Sequence, residues 1–434
     1  MLHGPSTEFH RSVSLHRGPR RHMEHTVVSL LFALTTAVIV FAAAAVYLLR
    51  RIYRVRDLGY RGVRPRGNKW MMPKRGRSVH LKIYPITSPV KLVDFERYYT
   101  IMSRDSGYLF SLQFEVLNTT DHYFLHSDAC LPENKHKNRY DNILPRNYGR
   151  VRLKPVAGVP GSDYINAEFI PGVHGPKNYI ATQGPLPETQ GDFWRMLWEH
   201  RVRLVVMLTQ CVERMQTKCS RYWPEKLGTE EHHGAVSVRA LGRAKRGCWE
   251  LRTFLLRSLV NEQPESRVLW HYHFTAWPDK GVPLEEHTGG LVDFAREVRK
   301  KSSAWKAPIV VHCSAGVGRT GTFIALDRVL HGLQTTFPGA AAVPEECSPE
   351  GPVRAQAAVD LLALVAELRR SRVSMVQTEE QFVFLHRCIL YICKHLLNRQ
   401  QRDTDICASG TATHEARAED VEGAIPLKEL VTDS

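Results

Sequence analysis

One stretch of the chain joins a nucleophile, a fixed cation and a run of small residues. It reads Val310-Val311-His312-Cys313-Ser314-Ala315-Gly316-Val317-Gly318-Arg319-Thr320-Gly321. An apolar run ends at a cysteine, five small residues follow, then an arginine, then a segment of helical composition. Small residues and glycines let successive backbone N–H groups turn inward around a tetrahedral oxyanion, a nest with no room for side chains. A helix starting there points its positive end at the same spot. The same donors favour a thiolate at Cys313 over the thiol. Arg319 offers a planar fork for two oxygens, a geometry lysine cannot copy. Thr320 can give a hydroxyl hydrogen bond to the sulfur. Gly316-Val317-Gly318-Arg319-Thr320-Gly321 also matches the dinucleotide pattern GxGxxG. No acidic residue ends a second strand about 20 positions later, however, and a cysteine and an arginine inside the turn have no role there. Cys-x5-Arg alone would be weak against a structural buried cysteine. The full twelve residues are strong.

These groups must be positioned by strands and helices. The runs 203–208 and 307–312 are short and rich in β-branched residues, and they read as buried strands. Asp94 to Phe114, Thr320 to Leu333 and Ala358 to Leu368 carry helical composition or spacing. Strands mixed with helices imply one α/β domain over residues 90–398. Residues 334–356 hold four prolines and no period, and they read as an inserted surface loop between two helices. Doubling a flexible loop costs only about 0.6 kcal/mol in closure entropy, so the insertion is compatible with folding. The tail 399–434 is polar and aperiodic and is expected to be disordered.

Residues 26–49 are 24 uncharged, mostly apolar residues. At 1.5 Å per residue a helix of that length covers roughly 36 Å, enough for a hydrocarbon core of about 30 Å. It exceeds the roughly 7–15 apolar residues of a cleaved signal. The predicted order is a short lumenal or extracellular segment (1–25), a transmembrane helix (26–49) and a basic juxtamembrane linker (50–89). Residues 1–80 hold 15 Lys/Arg against three acidic residues, so most of the formal net charge of +15 sits there. The larger cluster follows the span, which places the C-terminal side in the cytoplasm. That strip could also touch anionic lipid, although a stop-transfer role suffices. The remainder is near neutral and gives no reason to expect nucleic acid. Nine cysteines with no CxxC pair argue against a disulfide framework and a zinc ribbon. No metal and no cofactor are expected.

Beyond the phosphate-type loop, several motifs occur in order. They are Lys137-Asn138-Arg139-Tyr140, Asp163-Tyr164-Ile165-Asn166-Ala167, Thr182-Gln183-Gly184-Pro185, the segment 193–198, Lys218-Cys219-Ser220-Arg221-Tyr222-Trp223-Pro224, Trp277-Pro278-Asp279 and Gln377-Thr378-Glu379-Glu380-Gln381. With them the chain resembles the catalytic domain of receptor-type protein tyrosine phosphatases, most closely the single-catalytic-domain subfamily. The resemblance implies a twisted mixed β-sheet flanked by helices. It implies that Cys313 attacks phosphorus while Asp279 protonates the departing phenol, and that Gln377 then orients the hydrolytic water. Gln381 would assist it. Residues 313–319 would cradle the phosphoryl group, Tyr140 would stack on the substrate ring in a deep pocket, and Asn142 would grip the substrate backbone. Trp277 would anchor the acid loop, Glu213 would pair with Arg319, Lys218 would approach Asp279 on closure, and His312 would tune the thiolate through hydrogen bonds. Phosphotyrosine proteins are the implied partners, and a single-pass plasma-membrane position is the implied location.

The chain departs from the pattern at several places. Residues 145–150 replace the usual aromatic and aspartate, which is expected to loosen the wall near Tyr140. Met215 stands where glycine is usual, Ser374 replaces a small residue at the pocket rim, and 334–356 is long. The 25 residues ahead of the span are too few for adhesive repeats, which suggests a truncated or alternative product. A slow pseudoenzyme that merely binds phosphotyrosine is the rival reading.

Overall fold

The apolar runs become the middle of a large sheet. The computed structural model describes residues 89–119, 125–259, 265–336 and 357–409, apart from the side chains of 334–336 and 396–409. They all belong to one unit spanning 87–434. The run 26–49, nearly all of the strip 50–89, loop residues 337–356 and residues 410–434 lie outside them. Among the described residues no helix is long and apolar enough to cross a membrane.

The strands in chain order are β1 (Val90–Lys91), β2 (Arg150–Arg152), β3 (Tyr164–Ile170), β4 (Tyr179–Thr182), β5 (Leu204–Met207), β6 (Val212–Glu213), β7 (Gln216–Thr217), β8 (Glu230–His233), β9 (Val236–Arg246), β10 (Trp249–Ser258), β11 (Ser266–Phe274), β12 (Ile309–His312) and β13 (Ala358–Val359). Nine of them form one mixed sheet in the order β2-β3-β4-β12-β5-β11-β10-β9-β8. The junctions β4–β12, β12–β5 and β5–β11 are parallel. The remaining ones are antiparallel. Every residue of β4, β5 and β12 is buried. A parallel strand covered on both faces is apolar along most of its length, which is why 204–207 and 309–311 read as unbroken runs.

The longer helices are α1 (Phe95–Met102), α2 (Arg104–Thr119), α3 (Gln190–Glu199), α4 (Thr288–Ser302), α5 (Gly318–Thr336), α6 (Leu361–Ser371) and α7 (Glu379–Ser409). Below α3, Phe193, Trp194, Met196 and Leu197 are buried with Val205, Val238, Phe254 and Leu269. The buried Trp194 indole donates to the Tyr222 carbonyl at 2.6 Å, so its one polar atom is satisfied.

Three boundaries differ from the sequence reading. The helix expected over 94–114 is broken, because Asp105, Ser106 and Gly107 have positive φ. Ala358 and Val359 are not helical. They pair with Lys91 and Val90, and α6 starts only at Leu361, where the Asp360 carboxylate accepts the Ala363 N–H at 2.8 Å. The expected boundary at 398 falls inside α7, which continues to Ser409. Residues 399–407 contain no glycine or proline, and Gly410 follows the end.

Candidate active site

Strand β12 delivers Cys313 to the carboxyl end of the sheet, and α5 begins five residues later at Gly318. Ligand sites of open α/β sheets lie at such strand ends. Cys313 is 5% exposed. The Gly316 N–H points at its sulfur, with nitrogen and sulfur 3.3 Å apart. Gly316 has φ +74°, and a Cβ there would stand 2.2 Å from the Thr182 carbonyl oxygen, so no other residue fits. Helix α5 is close-packed as well: a Cβ on Gly321 would meet the Val376 nitrogen at 2.4 Å. The expected bond from Thr320 to the sulfur is absent. Its hydroxyl is buried without a hydrogen-bond partner, and the Gly316 N–H is the donor at the sulfur.

The back of the loop is held by groups the sequence did not reveal. Arg372 is fully buried, ion-paired to Glu168 at 3.2 Å. It donates to the carbonyls of Gly316 (3.0 Å) and Ala315 (3.2 Å) and to Asn166 Oδ1 (2.8 Å). Those carbonyls therefore face backward, and the neighbouring N–H groups are free to face the pocket. Ser314 is held in the same way, its carbonyl accepting the Gly184 N–H at 2.9 Å. His312 is buried, with Nδ1 3.1 Å from the Cys313 carbonyl and Nε2 2.8 Å from the Tyr222 hydroxyl. Burial pushes its pKa down to about 3, so it is a neutral hydrogen-bonding group.

Arg319 is oriented by a bidentate pair with Glu213, at 2.7 and 2.8 Å. Burial opposes the Glu213 charge, but the Arg319 fork and the Gln210 N–H outweigh it and hold its pKa at about 2. The same guanidinium donates to the carbonyls of Leu208 (3.0 Å), Pro278 (3.0 Å) and Asp279 (3.1 Å). The acid-bearing segment is thus folded over the loop. Trp277 anchors it: the ring is buried against Phe274 and Phe384, and Nε1 donates to the Gly281 carbonyl at 3.2 Å. The Asp279 carboxylate lies 3.5 Å from Lys218 and 3.3 Å from Arg214. The Lys218 contact was expected; the Arg214 contact was not.

Glu213, Arg214 and Lys218 share the β6–β7 hairpin. Its two turn residues, Arg214 (φ +45°) and Met215 (φ +62°), both lie in the left-handed region. That geometry explains why glycine suits position 215, and Met215 is 98% exposed there. Ser374 (φ +55°) shows the same logic at the pocket rim. Val376 (φ +57°) is a β-branched residue in that region, held by its N–H to the Val317 carbonyl (3.2 Å) and by Arg369 on its own carbonyl (3.0 Å). It precedes Gln377, which is exposed and whose N–H is accepted by Gln381 Oε1 at 3.0 Å. A Cβ on Gly318 would lie 3.3 Å from the Gln377 Cβ, so Gln377 flanks the loop.

Tyr140 stands on the opposite rim, 37% exposed, its hydroxyl 2.9 Å from Ser314 Oγ. Arg139 secures that segment through the carbonyls of Gly184 (3.0 Å) and Pro185 (2.8 Å). Asn142 is exposed two residues further on. The substituted stretch 145–150 does not leave a gap. Arg146 is fully buried and donates to the Arg369 and Arg370 carbonyls at the end of α6, and its N–H bonds Glu168 at 2.8 Å. Neither Arg146 nor Arg372 is marked in the sequence. Residue type alone does not show that either is buried, and burial is the signal that is missing.

A family model for protein-tyrosine phosphatase matches residues 134–391. The receptor-type tyrosine-protein phosphatase eta of Mus musculus is 40% identical over 319 residues, 73% of this chain and 23% of that protein. The Homo sapiens receptor-type tyrosine-protein phosphatase H is 41% identical over 300 residues, 68% of this chain and 25% of that one. The Homo sapiens phosphatidylinositol phosphatase PTPRQ is 37% identical over 329 residues, 76% and 13% respectively. The matches thus cover a quarter or less of these curated relatives. The chain belongs to the protein-tyrosine phosphatase family.

Proposed function

We propose that this chain hydrolyses phosphotyrosine in proteins through a phosphocysteine intermediate. The observation that carries the reading is the closed constellation around Arg319. Its guanidinium is gripped by Glu213 and touches the acid-loop backbone, above a thiol held by the loop's own N–H. In the first step the Cys313 thiolate attacks phosphorus in line, the P–O bond to the phenol breaks, and Asp279 gives its proton to the leaving oxygen. Loop amides and Arg319 stabilise the charge on the equatorial oxygens. In the second step a water placed by Gln377 attacks the phosphocysteine, Asp279 takes its proton, and phosphate leaves with the thiolate regenerated. Tyr140 and Asn142 receive the aromatic ring and the peptide backbone.

We further propose a single-pass protein with residues 26–49 in the membrane and the catalytic domain in the cytoplasm. Support comes from the apolar length, the basic flank and the receptor-type names of the relatives. The test is turnover by the full chain on matched phosphotyrosine and phosphoserine peptides and on a phosphoinositide. Preference for phosphotyrosine is expected. Equal rates on the serine peptide, a preference for the lipid, or binding without turnover would contradict the reading.

A further inference from the structure

Behind the phosphate loop, four buried or nearly buried side chains form an unbroken line, and the direction of each hydrogen bond in it can be worked out. The Cys313 carbonyl only accepts, so His312 Nδ1, 3.1 Å away, carries hydrogen. Burial holds His312 neutral, which leaves Nε2 an acceptor. The Tyr222 hydroxyl, 2.8 Å from it, must therefore donate its single hydrogen there. That hydroxyl lies also 2.8 Å from His271 Nε2 and has only a lone pair left, so His271 donates through Nε2. His271 is fully buried, and burial pushes its pKa well down, so its Nδ1 is an acceptor. It lies 3.4 Å from Arg252 Nη1, a group that can only donate.

The same Nη1 is 3.4 Å from His273 Nδ1. His273 Nε2 is 2.8 Å from the Thr209 carbonyl, which again forces the hydrogen onto Nε2 and makes Nδ1 an acceptor. The Thr209 hydroxyl donates to Glu213 Oε1 at 2.9 Å, and Glu213 grips Arg319. Two lines thus start from one guanidinium. One ends on the carbonyl of the nucleophile, the other on the residue that aims the phosphate-binding arginine. Arg252 is itself fixed by an ion pair to the buried Glu250 and by the face of Trp223 at 4.7 Å.

We infer that Arg252 is a positioning residue for the reaction, locking from the far side the tautomers of His271 and His273 that the Cys313 and Thr209 carbonyls select, and through them the orientation of the Cys313 loop and of Glu213. The inference rests on the proposed chemistry of the site but has a readout independent of it. Reversing any ring would place two hydrogens, or two lone pairs, face to face in a dry interior, where an unmet polar group costs about 1–3 kcal/mol. Arg252, able only to donate, removes the reversed arrangement.

Two measurements test it on the full chain. The first is the ring ¹⁵N spectrum of selectively labelled histidines, assigned with single substitutions. Hydrogen on Nδ1 of His312 and on Nε2 of His271 and His273 is expected. Hydrogen on Nδ1 of His271 or of His273, the atoms that face the guanidinium, would overturn the inference whether or not any variant folds. The second is a kinetic cycle with Arg252→Met and Tyr222→Phe. Each is expected to lower kcat about fivefold to tenfold, equivalent to roughly 1–1.4 kcal/mol, with KM nearly unchanged. The double variant should lose less than the product of the two single losses, because Tyr222→Phe cuts the His271 line and leaves the His273 line, and Arg252→Lys should recover part of the loss. Losses that multiply, or a change confined to KM and thermal stability, would show a merely structural role. If wild type turned over no phosphopeptide, the proposed function would fail, while the spectrum would still decide the tautomers.

Discussion

The loop proposed to hold phosphate and the segment proposed to carry the acid are held by different physics. The loop is fixed from behind by buried donors: Arg372 on two carbonyls, His312 on a third, Gly184 on a fourth. In the segment Trp277–Pro283 the Trp277 ring and Pro283 are buried, Arg319 holds the Pro278 and Asp279 carbonyls, and the carboxylate is held by ion pairs from Lys218 and from Arg214, whose side chain is 64% exposed. An oxyanion cradle gains from donors that are already in place, because they need no rearrangement when charge develops. A proton donor that must close over each substrate needs holds that can be released. The molecule uses buried hydrogen bonds for the first task and, for the second, Arg319 bonds to backbone together with two ion pairs, one of them to the exposed Arg214.

Substitutions can break or sharpen that contrast. The largest effect belongs to the sulfur: Cys313→Ser should abolish turnover of a phosphotyrosine peptide. Asp279→Ala should lower kcat by about 10²–10⁴ while leaving substrate binding intact, as measured by trapping of phosphopeptide. Activity equal to wild type would remove the acid assignment. Arg372→Met leaves the buried Glu168 carboxylate without its partner, and calorimetry should show a stability loss of about 3–5 kcal/mol with weakened binding of vanadate. Arg214→Ala removes only an exposed pair. Its effect on kcat/KM should stay below about fivefold and fade with added salt. If Arg372→Met proved no more costly than Arg214→Ala, the distinction between cradle and acid segment would be lost.

Acid should separate the two regions as well. Burial depresses the pKa of His273 to about 4 and of His312 to about 3, and lowers that of His271 strongly. In the unfolded chain these imidazoles bind protons near pH 6.5, so the unfolded state gains protons first as pH falls. Their contribution to stability is complete above about pH 6.5 and should drain away below it by about 1.4 kcal/mol per pH unit for each histidine. Thermal unfolding between pH 7 and pH 4.5 measures this. Glu213 behaves otherwise: held at about 2, it keeps its grip on Arg319 across that whole range.

The sequence announced the chemistry more fully than the framework. Cys313 and Arg319 were visible from residue type and spacing, and Asp279 from the family resemblance. Glu213, Lys218, Gln377 and Gln381 followed from matched motifs, and the structure gathers all of them at one end of the sheet. What stayed hidden depends on burial and backbone conformation. Arg146, Arg252 and Arg372 are arginines, and composition does not show that each satisfies buried acceptors. The break after Met102 arises from left-handed residues, two of which, Asp105 and Ser106, carry no glycine signature. The Ala358–Val359 strand is too short to show a period and exists through its pairing with Val90 and Lys91. The Thr320 hydroxyl was assigned to the sulfur by function, whereas the Gly316 N–H fills that place.

The central claim is that a buried thiol in this cradle takes the phosphoryl group onto itself. Rapid acid quenching of a Gln377→Ala variant with excess phosphotyrosine peptide, followed by peptide mass spectrometry, tests it most directly. A phosphoryl group on Cys313, appearing in a burst close to one per enzyme, is the predicted result. Turnover without any adduct on Cys313, or an adduct on a different residue, would contradict it.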